Sequence, residues 1–112
     1  MDVIERRRMI IQQCELLLNV ILANRTVVFP LPIRSVDDMM RRLSYVNRRN
    51  PRNRSVTGRG ILKYFVTTQG RNFHPLAIGL VTNSLWEDAL SHEKAEYVIM
   101  SKDLNRRINR FR

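Results

Sequence analysis

The N-terminal stretch restricts the fold most, because residues 2–24 contain neither glycine nor proline and carry apolar side chains at helical intervals. One row of these positions steps by four, three and four residues: Ile10, Cys14, Leu17 and Ile21. A second row lies beside it: Ile11, Leu18 and Leu22. A stripe this wide indicates a long helix packed on a core. The second row is also a candidate homodimer interface.

The length of the chain fits one domain, and its single cysteine bears on the compartment. A chain of 112 residues can bury a core without covalent staples, so we predict that residues 1–112 form a single domain. Cys14 has no partner for an internal disulfide. We therefore expect a reducing compartment, nucleus or cytoplasm, and not secretion. The apolar stretch 9–23 is interrupted by polar residues, so we expect no membrane span.

The next segment combines extended and helical signals. Residues 26–33 are apolar and β-branched, but Pro30 and Pro32 lack the amide hydrogen that a central strand needs, which favours an edge strand. Ser35 then predicts a helix start, with Asp37 and Asp38 in the first turn, where acidic groups suit the helix dipole. Pro51 predicts that this second helix ends by Asn50.

Two later runs are typical of strands. Residues 61–68 and 73–81 are rich in β-branched and aromatic side chains, and four residues containing Gly70 separate them. That spacing predicts an antiparallel hairpin over 61–81. The glycine-containing sequence TGRG, residues 57–60, precedes the first strand. It lacks the lysine and the following helix of a phosphate-binding loop, so we interpret its glycines as a turn into the hairpin or as a place where the backbone approaches a phosphate closely.

The C-terminal third is predicted to contain both helix and strand. Ser84 and Glu87 match a capping box, which predicts a short helix through Leu90. Residues 95–100 fit either a third strand or a continued helix, and we favour the strand. Ser101 predicts the start of a basic C-terminal helix. The expected fold is therefore α+β, with a long N-terminal helix and a second helix packed on a small antiparallel sheet.

The charge of the chain indicates a polyanionic partner. Twenty basic and 10 acidic side chains give a formal net charge of +10. Arginine supplies 17 of the basic residues and lysine 3. Arginine matches phosphate with a planar fork of donors and stacks on bases, so this bias favours nucleic acid over general solubility. Codon bias is the alternative explanation of the arginine content.

The basic residues concentrate in an interval of 48 residues, between Asp38 and Glu87, that contains no acidic residue. We predict that its cations contact phosphates: Arg41, Arg42, Arg48, Arg49, Arg52, Arg54, Arg59, Lys63 and Arg71. Such contacts give affinity with little sequence preference. Two alternatives remain for the arginine-rich stretch 48–59: a signal read by an import receptor, or a solvated connection.

Three aromatic residues near this interval are candidates for base stacking, namely Tyr45, Tyr64 and Phe73. Stacking on aromatic side chains suits single strands and RNA loops. The alternative is that some of these rings belong to the core.

Catalytic and metal-binding patterns are weak. Ser91, His92 and Glu93 are consecutive, a spacing that does not allow the geometry of a nucleophile, base and orienting group. His92 and Glu96 lack the further ligands of a metal motif. We expect no enzyme, metal or cofactor.

The sequence thus predicts a non-enzymatic nucleic-acid-binding protein, with RNA favoured over DNA. A small viral accessory or regulatory protein would have this arginine-rich, glycine-poor character. The alternative is an oligomerising adaptor whose basic loop serves nuclear import or binds an acidic protein.

Overall fold

The computed structural model describes residues 2–46 and 55–110, with side chains described through 43 and 108 in the two ranges. Within these ranges the protein consists of helices alone, so the predicted α+β fold is wrong and the fold is all-α. The helices are α1 (Val3–Ala23), a short 3-10 helix (Arg25–Val27), α2 (Val36–Val46), α3 (Gly58–Gln69), α4 (Pro75–Asp88) and α5 (Ser91–Arg110).

The first two helices confirm the sequence-based predictions. Asp2 caps α1 by accepting the Glu5 backbone N–H at 2.8 Å, and Leu17 and Ile21 are fully buried on its inner face. Ser35 accepts the Asp38 N–H at 3.3 Å, as expected of the residue that begins α2. The predicted end of α2 by Asn50 lies outside the described residues.

The segment between these helices is not an edge strand. A 3-10 turn occupies its first residues, and Val28, Phe29 and Leu31 are then buried by an irregular chain with a cis Phe29–Pro30 bond. The buried Tyr97 hydroxyl donates a hydrogen bond to the Val28 carbonyl. Desolvation and neighbouring carboxylates raise the pKa of Tyr97 above its usual range, so this hydroxyl stays a donor.

The first predicted hairpin strand, residues 61–68, lies inside α3. Its buried side chains recur at helical spacing: Ile61, Leu62, Phe65 and Val66. Thr57 caps the helix by accepting the Gly60 N–H at 2.9 Å, so a helix does begin at TGRG, contrary to the prediction of a turn leading into a strand. The β-branched composition was misleading because packing of one helical face outweighs the small propensity cost.

The second predicted strand, residues 73–81, lies mostly in α4. Pro75 occupies the first turn, where its missing N–H costs nothing, and the His74 ring nitrogen Nδ1 accepts the Leu76 N–H at 3.1 Å. Of the four residues predicted as a hairpin loop, Gln69 ends α3 and the other three belong to the connection between α3 and α4. Ser84 lies within α4, so the predicted capping box is wrong as well.

The predicted third strand, residues 95–100, is the middle of α5, so the helical alternative was the correct one. The C-terminal helix begins ten residues earlier than predicted, at Ser91 rather than Ser101. Ser101 is buried within the helix, and its hydroxyl donates to the Val98 carbonyl at 2.7 Å. A serine in this arrangement satisfies its own hydroxyl inside a helix and does not mark a start.

Helix α3 is central to the packing. It contacts α1, α4 and α5, while α2 packs on α5 and α1 packs on α4. Gln13 and Cys14 of α1 bond to His74 and Ala77 near the start of α4. Arg25, just after α1, bonds to Glu93, beyond the end of α4. Helices α1 and α4 therefore run in the same direction.

The core collects one face of each helix and the segment after α1. Its largest fully buried side chains are Leu17, Ile21, Val28, Met39, Ile61, Leu62, Val66, Val81, Tyr97 and Leu104. Among the described residues, no helix has the length and apolarity needed to cross a membrane.

Candidate nucleic-acid interface

A groove of about 940 Å³ lies between the C-terminal half of α2 and the exposed side of α3. We call it the α2–α3 groove. Its lining residues are Arg41, Arg42, Leu43, Ser55, Val56, Thr57, Gly60, Lys63, Tyr64, Thr67, Thr68 and Arg71. The groove exists because α2 packs on α5 and not closely on α3, which leaves one side of α3 uncovered.

Four of the nine predicted phosphate-binding residues line this groove. Arg41 and Arg42 come from α2, whereas Lys63 and Arg71 come from α3 and the turn that follows it. Lys63, Thr67 and Arg71 are four residues apart, so they follow one row along α3 and its end. The tertiary structure thus brings cations from two separate parts of the chain to opposite sides of one concave surface.

The four cations differ in how far other groups neutralise them. Arg41 pairs with Asp38 one turn earlier, on the exposed side of α2. Within the described residues, Arg42, Lys63 and Arg71 form no ion pair with a carboxylate. Three of the groove cations are therefore available to an anionic ligand without first breaking a salt bridge.

Arg59 does not belong to the groove. Its Nε donates to Asn83 Oδ1 at 2.6 Å and its Nη2 donates to the Gly79 carbonyl at 3.4 Å, which holds the side chain against α4. These bonds give Arg59 a structural contact with α4, and its predicted phosphate contact stays a prediction. The other four predicted arginines, Arg48, Arg49, Arg52 and Arg54, lie outside the described residues, in the stretch between Val46 and Ser55.

The candidate stacking residues are separated by the fold. Tyr64 lines the groove, half-buried, and its ring contacts Phe65 edge-on with centroids 5.2 Å apart. Both Tyr64 and Phe73 are half-buried and pack against the core, but Phe73 lies near Leu17 and Gly70, outside the groove. The Tyr45 side chain lies outside the described residues.

Two positioning groups were not found by sequence reasoning. The Asn105 side chain of α5 accepts the Val56 N–H at 2.8 Å and donates to the Val56 carbonyl at 2.9 Å. These two bonds fix the chain where it enters the groove wall, just before Thr57 caps α3. No local pattern indicates the Asn105 contact, because its partner is 49 residues away. The Thr57 cap was visible in the sequence as a threonine ahead of an apolar periodic run.

Helix α5 adds further basic residues on the same side as α2. Arg107 pairs with Asp37 of α2, and Arg106 with Asp103 at 3.3 Å on α5 itself. These ion pairs reduce the charge that α5 offers to a ligand, so the α2–α3 groove remains the stronger candidate.

No family model, curated protein or solved structure matches this chain.

Glu93 is engaged in hydrogen bonds, and the thiol of Cys14 is partly buried. Glu93 is 6% exposed, and its carboxylate accepts hydrogen bonds from Nη1 and Nη2 of Arg25 and from the Leu90 N–H. The hydrogen bonds from Arg25 lower the pKa of Glu93 to about 2. Burial raises the pKa of the Cys14 thiol, which disfavours the nucleophilic thiolate. Among the described residues no three His, Cys, Asp or Glu side chains come together in a metal-binding arrangement.

The candidate dimer row divides between core and surface. Leu18 is half-buried and packs against the core, whereas Ile11 and Leu22 are 58% and 51% exposed. The exposed part of the row continues toward the N-terminus at Ile4.

Proposed function

We propose that the α2–α3 groove binds single-stranded nucleic acid without catalysing a reaction, with RNA as the favoured class. The observation that carries this proposal is the convergence of Arg41, Arg42, Lys63 and Arg71 on one concave surface. These residues come from an interval without acidic residues, and the fold gathers them instead of scattering them.

The cations supply the phosphate contacts. Arginine binds phosphate with two parallel donors and lysine binds it as a point charge. If the three cations free of ion pairs each contact one phosphate, the plot of log K against log salt for a single strand has a slope of about −2. Arginines of the adjacent stretch 48–54 would steepen that slope.

The floor of the groove favours a single strand over a duplex. The half-buried Val56 and Tyr64 line the groove with apolar side chains, beside the largely buried Leu43. A duplex keeps its bases paired and stacked inside, so it offers no base to this floor. An unpaired strand places phosphates on the cationic rims while a base lies against the Tyr64 ring. Single-stranded RNA is the usual target of such aromatic and basic surfaces.

The first test removes the three groove cations that lack ion pairs. We expect Arg42→Ala, Lys63→Ala and Arg71→Ala together to lower the steepness of the salt dependence by about two, because about three phosphate contacts are lost. Fluorescence anisotropy with labelled single-stranded RNA over a series of salt concentrations measures this slope. Duplex RNA and duplex DNA of equal length show whether the groove prefers the single strand.

The matched control removes the same charges elsewhere. Arg6, Arg7 and Lys102 are also two arginines and one lysine, all exposed and without ion pairs among the described residues. Their triple alanine variant has the same net charge as the groove variant. An equal loss of slope in both variants would show that total charge, and not the groove, binds the ligand.

The second test concerns Tyr64. We expect Tyr64→Leu to weaken binding of single-stranded RNA by about 1–3 kcal/mol, since leucine removes the ring on which a base stacks. Tyr64→Phe keeps the ring and should retain most of the affinity. Duplex binding should change little in either variant. Equal affinity of Tyr64→Leu and wild type for the single strand would contradict base stacking, and thermal unfolding of each variant controls for the lost contact with Phe65.

The alternative function, an adaptor that binds an import receptor or an acidic protein, makes a different prediction for the same experiments. Nucleic acid would then bind weakly at physiological salt to wild type and to both triple variants alike. That outcome would assign the basic surface to a protein partner.

A further inference from the structure

Helix α1 carries an exposed apolar strip that the core does not use. We define the α1 strip as Ile4, Ile11, Leu18 and Leu22; three of these are more than half exposed, and Leu18 is half-buried. Ile4, Ile11 and Leu18 are seven residues apart, which is about two turns or 10 Å. They therefore follow one line along the helix, as the contacting residues of paired helices do.

The charged residues beside the strip are self-complementary. Arg8 lies three residues before Ile11 and Glu15 four residues after it, so both occupy the same edge of the strip. They are about 10 Å apart along α1, too far to pair with each other. Neither forms an ion pair with a described residue.

We propose that the α1 strip binds a second copy of this chain in an antiparallel homodimer whose two-fold axis passes near Ile11. In that arrangement Ile11 meets Ile11 of the second copy, and Ile4 meets Leu18. Arg8 of each chain then lies beside Glu15 of the other, which forms two symmetry-related ion pairs. A parallel two-fold axis would carry Arg8 and Glu15 of the second copy to the opposite edge of the interface, where neither ion pair forms, so the charges favour the antiparallel orientation.

A second copy fits this surface better than an unrelated partner, because the same helix supplies both the cation and the anion in the register that the symmetry requires. The paired part of the strip, from Ile4 to Leu18, covers about four turns of one helix, and Leu22 lies beyond it. An interface of this size belongs to the weak, concentration-dependent class, and the net charge of +10 on each chain opposes association. The dimer therefore forms at high protein concentration and dissociates on dilution.

Sedimentation velocity over a range of protein concentrations tests the dimer. Wild type should shift from monomer to dimer as its concentration rises, and Ile11→Glu should abolish the shift by placing two carboxylates at the two-fold axis. Leu16→Glu is the matched control: Leu16 is 59% exposed on the same helix but lies about 140° around the axis from Ile11. It should dimerise like wild type.

Charge reversal tests the orientation. Arg8→Glu and Glu15→Arg should each weaken dimerisation roughly tenfold, since each replaces two attractive pairs with two repulsive ones. The double variant restores both pairs in an antiparallel dimer and should recover the wild-type dissociation constant within about threefold. These exposed polar substitutions leave the core untouched, so they stay informative if Ile11→Glu perturbs folding.

A wild type that stays monomeric at every concentration would overturn the proposal. So would a dimer that Ile11→Glu leaves intact or that Leu16→Glu disrupts equally. Failure of the double charge reversal to restore association would overturn the antiparallel register. None of these outcomes depends on nucleic-acid binding, which the groove variants test separately.

Discussion

Glu93 illustrates how one residue joins distant parts of this chain. Its carboxylate receives the Arg25 guanidinium from the segment after α1 and the Leu90 N–H at the start of α5. The second bond is half of a capping box, in which an acidic third residue reaches back to the residue before the helix. Arg25 also lies over the Phe29 ring, 4.6 Å from its centroid. The pair thus ties the end of α1, the buried irregular segment and α5 together.

The Arg25–Glu93 pair predicts a specific pH dependence of stability. Arg25 lowers the pKa of Glu93 in the folded chain from about 4.5 to about 2, so the unfolded chain binds a proton more readily than the folded chain. The contribution of the pair is therefore fully present above about pH 4.5 and is lost as the pH falls toward 2. We expect Glu93→Gln to lower the free energy of unfolding at pH 6 by about 1.5–3 kcal/mol.

Urea unfolding of wild type and Glu93→Gln at pH 6 and pH 3 measures this effect. The difference between the two proteins should be smaller at pH 3, because Glu93 of the wild type is mostly ionised in the folded chain there and takes up a proton on unfolding. The other carboxylates are shared by both proteins and cancel in the comparison. A difference that is the same at both pH values would contradict the assigned pKa.

At the scale of helices, Gly58 and Gly79 differ in how closely other atoms approach them. A Cβ on Gly58, at the start of α3, would lie 3.0 Å from the Trp86 ring and 3.2 Å from the α5 backbone at Tyr97 and Val98. A Cβ on Gly79, within α4, would have no atom within 4 Å. Gly58 therefore sets how closely α3 approaches α5, whereas Gly79 has no such role.

This contrast predicts opposite effects of one substitution. Gly58→Ala should destabilise the protein by about 1–3 kcal/mol, since the α5 backbone cannot yield as a flexible side chain can. Gly79→Ala should stabilise it by about 0.4–1 kcal/mol, because alanine restricts the unfolded chain and fits the helix without contact. Chemical denaturation of both variants gives the two values. A destabilising Gly79→Ala, or a neutral Gly58→Ala, would contradict this account of the packing.

The helices that were predicted as strands show where local sequence patterns failed. In residues 61–68 and 73–81, short apolar runs with β-branched side chains fit a strand and a buried helix equally well. Pro75 is the residue that distinguishes a helix from a strand in the second run, because proline is common in the first turn of a helix and His74 precedes it as the cap. Residues 95–100 fit either a strand or a helix by sequence. In the structure they form part of α5, and the ring of Tyr97 is buried there against Phe29, Phe65 and Trp86.

At the scale of the whole molecule, the proposed functions use opposite features of the chain. The α2–α3 groove depends on cations that the fold collects from two helices, and the α1 strip depends on apolar side chains that the core leaves uncovered. Of the nine predicted phosphate-binding residues, four line the groove, Arg59 bonds to α4, and four lie outside the described residues. A dimer would present two grooves to one strand and raise its apparent affinity through effective concentration.

The sequence by itself determined the properties that depend on neighbouring residues: the long α1, the Ser35 start of α2, and the basic interval without acidic residues. Only the tertiary structure decided that Lys63 and Tyr64 share a groove with Arg41 and Arg42, that Phe73 lies outside this groove, and that Arg59 faces α4. The physical reason is that these contacts join residues far apart in the chain. Their stability comes from burying helix faces against one another, which no local pattern of residue types records.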